Sequence, residues 1–428
     1  MSLGLGLALI ALLAALGMPL FAVILAVALL GFHLAGYDLV VVAVEFYRLG
    51  DMPGLVAIPL FTLAGYLMGE SGAPRRLVRL SNALLGWLPG GLAIVAIVAC
   101  ALFTAFTGAS GVTIVALGAL LYPALREAGY SERYSLGLVT AAGSLGLLFA
   151  PSLPLIVYGF VAGQVGGPTP VTIPDLFLAG LLPGLVMIAM LSLHAMWAGR
   201  GIERARHRFD PRELRAALAE CAWELPLPVI VLGAIYSGAL AASEAAAVTA
   251  LYVLIVTVWI KKEISLAKLP GVMAESMRLV GAILMILGAA LALSNWLVDQ
   301  EVPTRLFELL SEHVDSPWVF LLWLNLFLLA VGMLLDIFSA IVILTPLLMP
   351  VAAAFGIHPV HLGIVMLANL QLGYFTPPVG MNLFIAAYRF GKPIGTLVRA
   401  CLPFFVVLGL AVALLTWWPA LSLALQQL

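Results

Sequence analysis

Few residues in this chain could do chemistry, and their apolar setting marks them out. Asp336 sits inside MLLDIFSAIVIL, residues 333–344. A carboxylate held at membrane depth costs roughly 3 kcal/mol or more, so it needs a cavity, a cation or a partner. Two readings stand: a ligand for a cation, or a cap for a half-helix beginning near Phe338. Ser110 and Thr113 flank Gly111 in TGASGVT and offer hard oxygen ligands for a small cation, with helix capping as the alternative. Asn369, Thr376 and Asn382 surround TPP, and Ser152 follows Pro151. Helix–helix hydrogen bonding explains any one of them, but their clustering favours ligation of ion or substrate. Glu244, in SGALAASEAAAVTALY, reads as a structural cap near the outer end of two spans. His33, His194, His207, His313, His358 and His361 form no HExxH and pair with no cysteine, so no metal site is expected. His358 and His361 read as solvated turn residues. Cys100, Cys221 and Cys401 lie far apart and read as buried free thiols. An intramembrane serine hydrolase built on Ser110 fails, because no histidine falls in a matching span.

The elements that position these residues must lie in lipid. The chain has 428 residues, 64% hydrophobic and 10% charged, with a mean hydropathy of +1.15. A soluble domain carries about 25% charge. Apolar runs recur at about 20 residues, the length that crosses a hydrocarbon core. A net charge of −1 implies no nucleic-acid partner. Met1 to Ala35 lacks a basic n-region and reads as a first span, not a signal peptide.

Charge orients the spans. If the basic groups at 75–79, 126–133, 200–215, 261–278 and 389–399 are cytoplasmic, only Arg48 and Arg305 lie outside, so 18 of the 20 Lys and Arg obey the positive-inside rule. Asp299 to Asp315, with five acids and one arginine, reads as external. Residues 3–32 then run outward, 53–70 inward, and 74–87 form an amphipathic segment on the cytoplasmic face. Residues 88–125 start and finish inside, as two short spans or a re-entrant hairpin. Residues 133–163 cross outward with an interruption at GSLGLLFAPS, and 174–197 return. Residues 222–240 and 242–260 go out and back, and 275–297 go out. Residues 318–354 start and finish outside, broken near Asp336. Residues 359–390 cross inward, broken at LGYFTPPVG, and 400–425 end outside.

The two interrupted regions match. Each holds a Gly or Ser break, a half-helix, a proline, a turn near Gly129 or Gly356, and a helix broken before a second proline. Pro123 to Pro151 spans 28 residues and Pro350 to Pro377 spans 27. Charge places their ends on opposite sides, which makes an inverted repeat. Irregular backbone at membrane depth survives only against protein or a water-filled cavity. Matched interruptions in two halves point to a midplane binding site in a secondary transporter.

The strings IPLFTLAGYLM (58–68), LLGWLPGGLAIV (84–95), LREAGYSERYSLGLVTAAGSLGLLFAPSLPLIVYG (125–159), SEAAAVTALY (243–252) and TPLLMP…GIHPVHLGIV…NLQLGYFTPPVGMNLF (345–384) resemble the large membrane subunit of tripartite ATP-independent periplasmic (TRAP) transporters. The resemblance runs from about residue 10 to residue 425. It implies an all-α elevator-type transporter with two re-entrant hairpins and two broken helices. The divisions would be scaffold helices and arm at 1–87, transport-domain half 1 at 88–173, scaffold at 174–297, half 2 at 298–392, and a final helix at 393–428. It also implies sodium as coupling ion with no other cofactor, and a place in the bacterial inner membrane as a multi-pass protein. The partners would be a small four-helix membrane subunit and a periplasmic substrate-binding protein that delivers a small organic anion. One sodium would use Gly108, Ser110 and Thr113 with Gly143 and Gly146. The other would use Asp336 and Ser339 with Thr376, Pro377 and Gly380. Substrate would lie near Ser152, Asn369 and Asn382. The first tip reads GASGVT where the family often has GSxxAT, and APS stands at 150–152 in place of PPS. A stand-alone organic-anion symporter or antiporter of the same superfamily is the alternative.

Overall fold

A computed structural model describes residues 3–50, 52–166, 169–200, 209–311, 314 and 316–427. Residues 201–208 of the basic loop, and Glu312, His313 and Asp315 of the acidic segment, lie outside the described residues. The described chain is all-helical, with no strand. Helices α1 (Leu3–Ala15), α2 (Leu20–Leu34) and α3 (Val40–Gly50) lead into α4 (Ala57–Glu70) and the amphipathic α5 (Ala73–Leu85). The single span expected at 3–32 is in fact two helices. Gly17 adopts φ +95 and Pro19 cannot continue α1, so the helix stops there. Helices α6 (Gly91–Thr107) and α7 (Ser110–Glu127) fold back on one another across Gly108, whose φ of +65 suits glycine. Then come α8 (Glu132–Ala142), α9 (Leu153–Val165), α10 (Ile173–Ala198), α11 (Pro211–Glu220), α12 (Pro226–Tyr236) and α13 (Ala242–Leu254). The 31-residue α14 (Leu269–Asp299) and the amphipathic α15 (Val302–Ser311) lead to α16 (Pro317–Leu334) and α17 (Ile337–Ala354). The broken pair α18 (Pro359–Gly373) and α19 (Met381–Phe390), then α20 (Ile394–Trp417) and α21 (Ala420–Leu423), end the chain. Among the described residues six helices are long and apolar enough to cross a membrane, or seven when α8 with its 3-10 turn and α9, bent by 43°, count as one.

A constant offset of 227 residues relates the two halves. Shifted by that amount, the bounds of α7 become those of α17, the end of α6 becomes the end of α16, and the start of α8 becomes the start of α18. Gly129 and Gly356, both with positive φ, obey the same shift. The repeat is wider than the sequence suggested: α4 corresponds to the end of α14, and α5 to α15. The external acidic segment thus carries an arm like the cytoplasmic one.

Long-range polar contacts respect the charge-derived sides. Arg76 pairs with Glu224 and Glu263, Arg79 with Glu213 and Glu220, Lys268 with Glu70, and Lys392 with Glu132, all among cytoplasmic ends. The Lys392 hydrogen bond holds the Glu132 carboxyl below its usual range. On the external side Tyr37 donates to Asp299, and Gln426 to the Asp175 carbonyl. The broken helices form the centre: every residue of α18 is buried, as is Ser135 to Ala142 of α8. A helix apolar all round needs such a place.

Candidate functional site

The tips of both hairpins open into one cavity of about 370 Å³. Gly108 to Val112 of the first tip and Asp336 to Phe338 of the second line it, with Tyr374 and Met381 from the second break. The opposite wall is Tyr66 of α4 and Leu279, Ala282, Ile283 and Ile286 of α14. Their spacing of three and four residues is one stripe of a helix. The polar groups come from the tips and breaks, while the facing α14 wall is apolar.

Three helix N-termini meet there, and their capping differs. At α17, Asp336 accepts from the Phe338 N–H at 3.0 Å and the Ser339 N–H at 3.1 Å, and the Ser339 hydroxyl donates to its other oxygen. The capping reading of Asp336 is therefore realised in this structure, at the cavity edge. By contrast, α7 begins after Ala109 and α19 after Gly380, and no side chain caps either. Their unneutralised positive dipole ends favour an anion.

A cluster of oxygens lies behind the first tip. Thr104 Oγ1 is 2.7 Å from Thr113 Oγ1, 2.9 Å from the Gly143 carbonyl and 2.8 Å from the Cys100 carbonyl. Ser110 donates to Asn382 Oδ1 at 2.8 Å, and Asn382 reaches the Thr140 carbonyl at 3.5 Å. Thr104, Thr113 and Asn382 are fully buried. Two threonine protons serve the Cys100, Gly143 and Ala109 carbonyls and the hydroxyl oxygen between them, a donor-poor set of hard oxygens of the kind that suits a small hard cation. The structure thus joins Gly108, Ser110, Thr113 and Gly143 to Asn382, expected among the substrate residues. Gly146 lets α6 approach: a Cβ there would overlap the Ala101 carbonyl and the Ala105 amide.

At the second tip, the Tyr374 hydroxyl accepts from the Ile337 N–H at 2.6 Å. Gly380, at φ +54, donates its N–H to the Met333 carbonyl at 3.0 Å. The Thr376 hydroxyl closes on the Leu372 carbonyl at 2.8 Å, and Pro377 is exposed. Two expected substrate residues lie elsewhere. Ser152 caps α9, accepting from the Leu155 N–H at 3.4 Å and donating to the Leu147 carbonyl. Asn369 donates to Asn325 at 2.6 Å, which also accepts from Thr416 at 3.0 Å, so it ties α18 to α16 and α20. Thr104, Tyr66 and Tyr374 were not singled out from sequence. Thr104 was within reach, lying one helical turn before Gly108 on the same face.

Glu244 accepts from the Ala241 N–H at 2.8 Å, the cap expected of it. His361 is not a solvated turn residue: it is buried, its ring nitrogens 2.6 Å from Ser422 Oγ and 3.2 Å from the Thr416 carbonyl. The turn packs under the chain's last segment, which spacing alone does not show. The three cysteines are buried and free.

A family model described as "Tripartite ATP-independent periplasmic transporter, DctM component" matches residues 7–421. The C4-dicarboxylate TRAP transporter large permease protein DctM of Pseudomonas aeruginosa is 36% identical over 387 residues, covering 90% of this chain and 89% of that protein. The chain belongs to the TRAP transporter large-permease family. The sialic acid TRAP transporter large permease protein SiaM of Vibrio cholerae is 32% identical, with 92% and 94% covered. The isethionate TRAP transporter permease protein DctMQ of Oleidesulfovibrio alaskensis is 36% identical over 90% of this chain but only 59% of its own length. Among solved structures, the Alcanivorax borkumensis YdaH transporter superposes with a TM-score of 0.64 at 16% identity, covering 90% and 88%, which speaks for the fold alone. This TRAP large permease is a multi-pass membrane transporter subunit and not an enzyme.

Proposed function

We propose that this permease imports a small organic anion, driven by sodium, with a periplasmic binding protein delivering substrate and a small four-helix membrane subunit bracing the scaffold. The observation that carries the anion is the pair of uncapped helix N-termini, α7 and α19, at one cavity. The oxygens of Thr104, Thr113 and Gly143 behind one tip, and of Asp336 and Ser339 at the other, support sodium as the coupling ion. Carboxylates and sulfonates are the substrate class that the named relatives suggest, since those proteins are named for C4-dicarboxylates, sialic acid and isethionate. The elevator reading rests on the cavity's make-up: a polar core of tips and breaks faces an apolar wall on α14, past which it can slide without breaking hydrogen bonds.

Uptake into proteoliposomes holding the permease and small subunit tests this. Uptake is expected only with an inward sodium gradient and loaded binding protein. Equal uptake on a proton gradient in sodium-free buffer would sink sodium coupling, and full uptake without binding protein would favour the stand-alone symporter.

A further inference from the structure

We propose that a cleft between α6, α10 and α12 holds one acyl chain of an outer-leaflet phospholipid with an amine-bearing headgroup, wedged against the first helix break. The cleft has a volume of about 350 Å³. Its walls are apolar: Ala101 and Ala105 of α6, Leu181 and Leu185 of α10, and Leu232 of α12, with Phe149 and Ala150 of the break at its floor. Leu102, Leu181 and Leu185 are also exposed, so the cleft opens sideways to lipid and not to either aqueous side.

Its length and its one polar end identify the occupant. Along α10 the lining runs from Phe177 to Ile188, 11 residues, or about 16 Å at 1.5 Å per residue. That is close to half of a hydrocarbon core about 30 Å thick, one leaflet's depth. Polar groups stand at the external end: the Tyr236 hydroxyl donates to the Pro174 carbonyl at 3.4 Å, beside Asp175. A tyrosine at the interface with an acid next to it suits a headgroup carrying an ammonium. The break lines the inner part, with Phe149 against Gly184 of α10, and lies at midplane depth by the logic of interrupted helices. A transmembrane helix of a partner cannot be the occupant. It is about 10–12 Å across and would need several times this volume over the same length.

An acyl chain here fills space beside Gly146, whose backbone already touches α6. Dry apolar space loses dispersion contacts, so occupation steadies the break against α10 and α12. This holds whichever ion drives transport, so it does not depend on the sodium reading.

Native mass spectrometry of the permease complex, extracted in a mild detergent, reads the site directly. Wild type is expected to retain one phosphatidylethanolamine in preference to phosphatidylglycerol. Leu181→Trp fills the cleft and is expected to lower the retained fraction at least fivefold. Leu232→Trp does the same from the facing helix should the first variant not fold. Asp175→Asn is expected to keep a bound lipid but lose the headgroup preference. A phosphatidylethanolamine with a diazirine at its chain end should photolabel peptides of α6 or α10. Equal retention by wild type and the folded filled variant overturns the proposal, as does crosslinking of a photoreactive residue at position 181 to the small subunit.

Discussion

Asp336 and Ala109 occupy equivalent positions 227 residues apart, and their difference sets what each tip can bind. Asp336 was visible in the sequence as an acid among apolar neighbours. Capping was one of its two readings there, but spacing could not choose between them, because capping depends on backbone geometry that spacing does not report. Replacing it with Asn keeps the cap, since the two residues cap about equally. If the carboxylate also holds sodium, Asp336→Asn should weaken apparent sodium affinity in uptake about tenfold, a loss of about 1.4 kcal/mol. Superimposable sodium curves would leave Asp336 a cap alone. Ala109 is the opposite case, a residue that says nothing in sequence and matters for what it lacks. Its φ −134 and ψ 113 already suit an N-cap. Ala109→Asp should therefore cap α7, worth about 1 kcal/mol to the helix, while setting a negative charge in the cavity. The expected outcome is an unchanged folded yield and a KM for the organic anion raised at least tenfold. Ala109→Asn, a cap without charge, should raise it far less. An unchanged KM in the Asp variant would move the anion away from this helix end.

At the scale of elements, the sequence showed the interruptions, the turn at Gly129 and Gly356, and the amphipathic α5, and left 88–125 open between two short spans and a hairpin. These are local signals: Gly and Pro punctuate, and a stripe of arginines marks an arm. It did not show that α15 repeats α5, because Val302, Pro303 and Leu306 stand where α5 has Arg75, Arg76 and Arg79, and only the fold reveals the shared place. Nor did it show that Asn369 serves α16 and α20, since a buried amide in a broken helix looks the same whichever neighbour it meets. The breaks meet at the centre of the repeat: Ser144 donates to the Gln371 carbonyl at 3.3 Å, and those residues are themselves 227 apart. Gly146 and Gly373, again equivalent, allow close approaches, to α6 and to Gly332 of α16. A methyl at 373 would overlap the Gly332 backbone, which cannot turn aside as a side chain would. Gly373→Ala should therefore destabilise by about 1–3 kcal/mol, the usual range for overpacking. It should lower the thermal midpoint in detergent, whereas Gly395→Ala, with open space around it, should not. Equal midpoints would show that the break relaxes freely.

The whole molecule is asymmetric, and under the proposed elevator reading the asymmetry has a direction. Charge fixed the sides from sequence alone, and the ion pairs agree with it, but depth within the membrane needed the fold. Val112 at the first tip lies against Gly69, one residue from the cytoplasmic end of α4, where Glu70 pairs with Lys268. The 17-residue α6 runs from that tip towards the cytoplasm for about 26 Å, so its base extends well past the end of α4. The residue equivalent to Gly69 is Trp296, whose ring covers Gly31, while the second tip shares its cavity with Leu279 to Ile286, about 15 Å or more before Trp296 along α14. A core centred in the scaffold would set the two tips against equivalent positions of α4 and α14, so this one is displaced towards the cytoplasm. On an elevator reading that is the inward-facing state, and import requires the first tip to leave Gly69. A Cβ at position 69 would stand 3.3 Å from Val112 Cγ1, the place a cysteine sulfur would take, which brings a disulfide within reach. Gly69→Cys with Val112→Cys, in a background lacking Cys100, Cys221 and Cys401, should crosslink under mild oxidation. Uptake should then fall more than tenfold and return with reductant, while either single variant transports throughout. Loaded binding protein should slow the crosslinking, because it draws the core outward. A fixed core predicts uptake that continues with the disulfide intact, and that result would rule out the sliding motion.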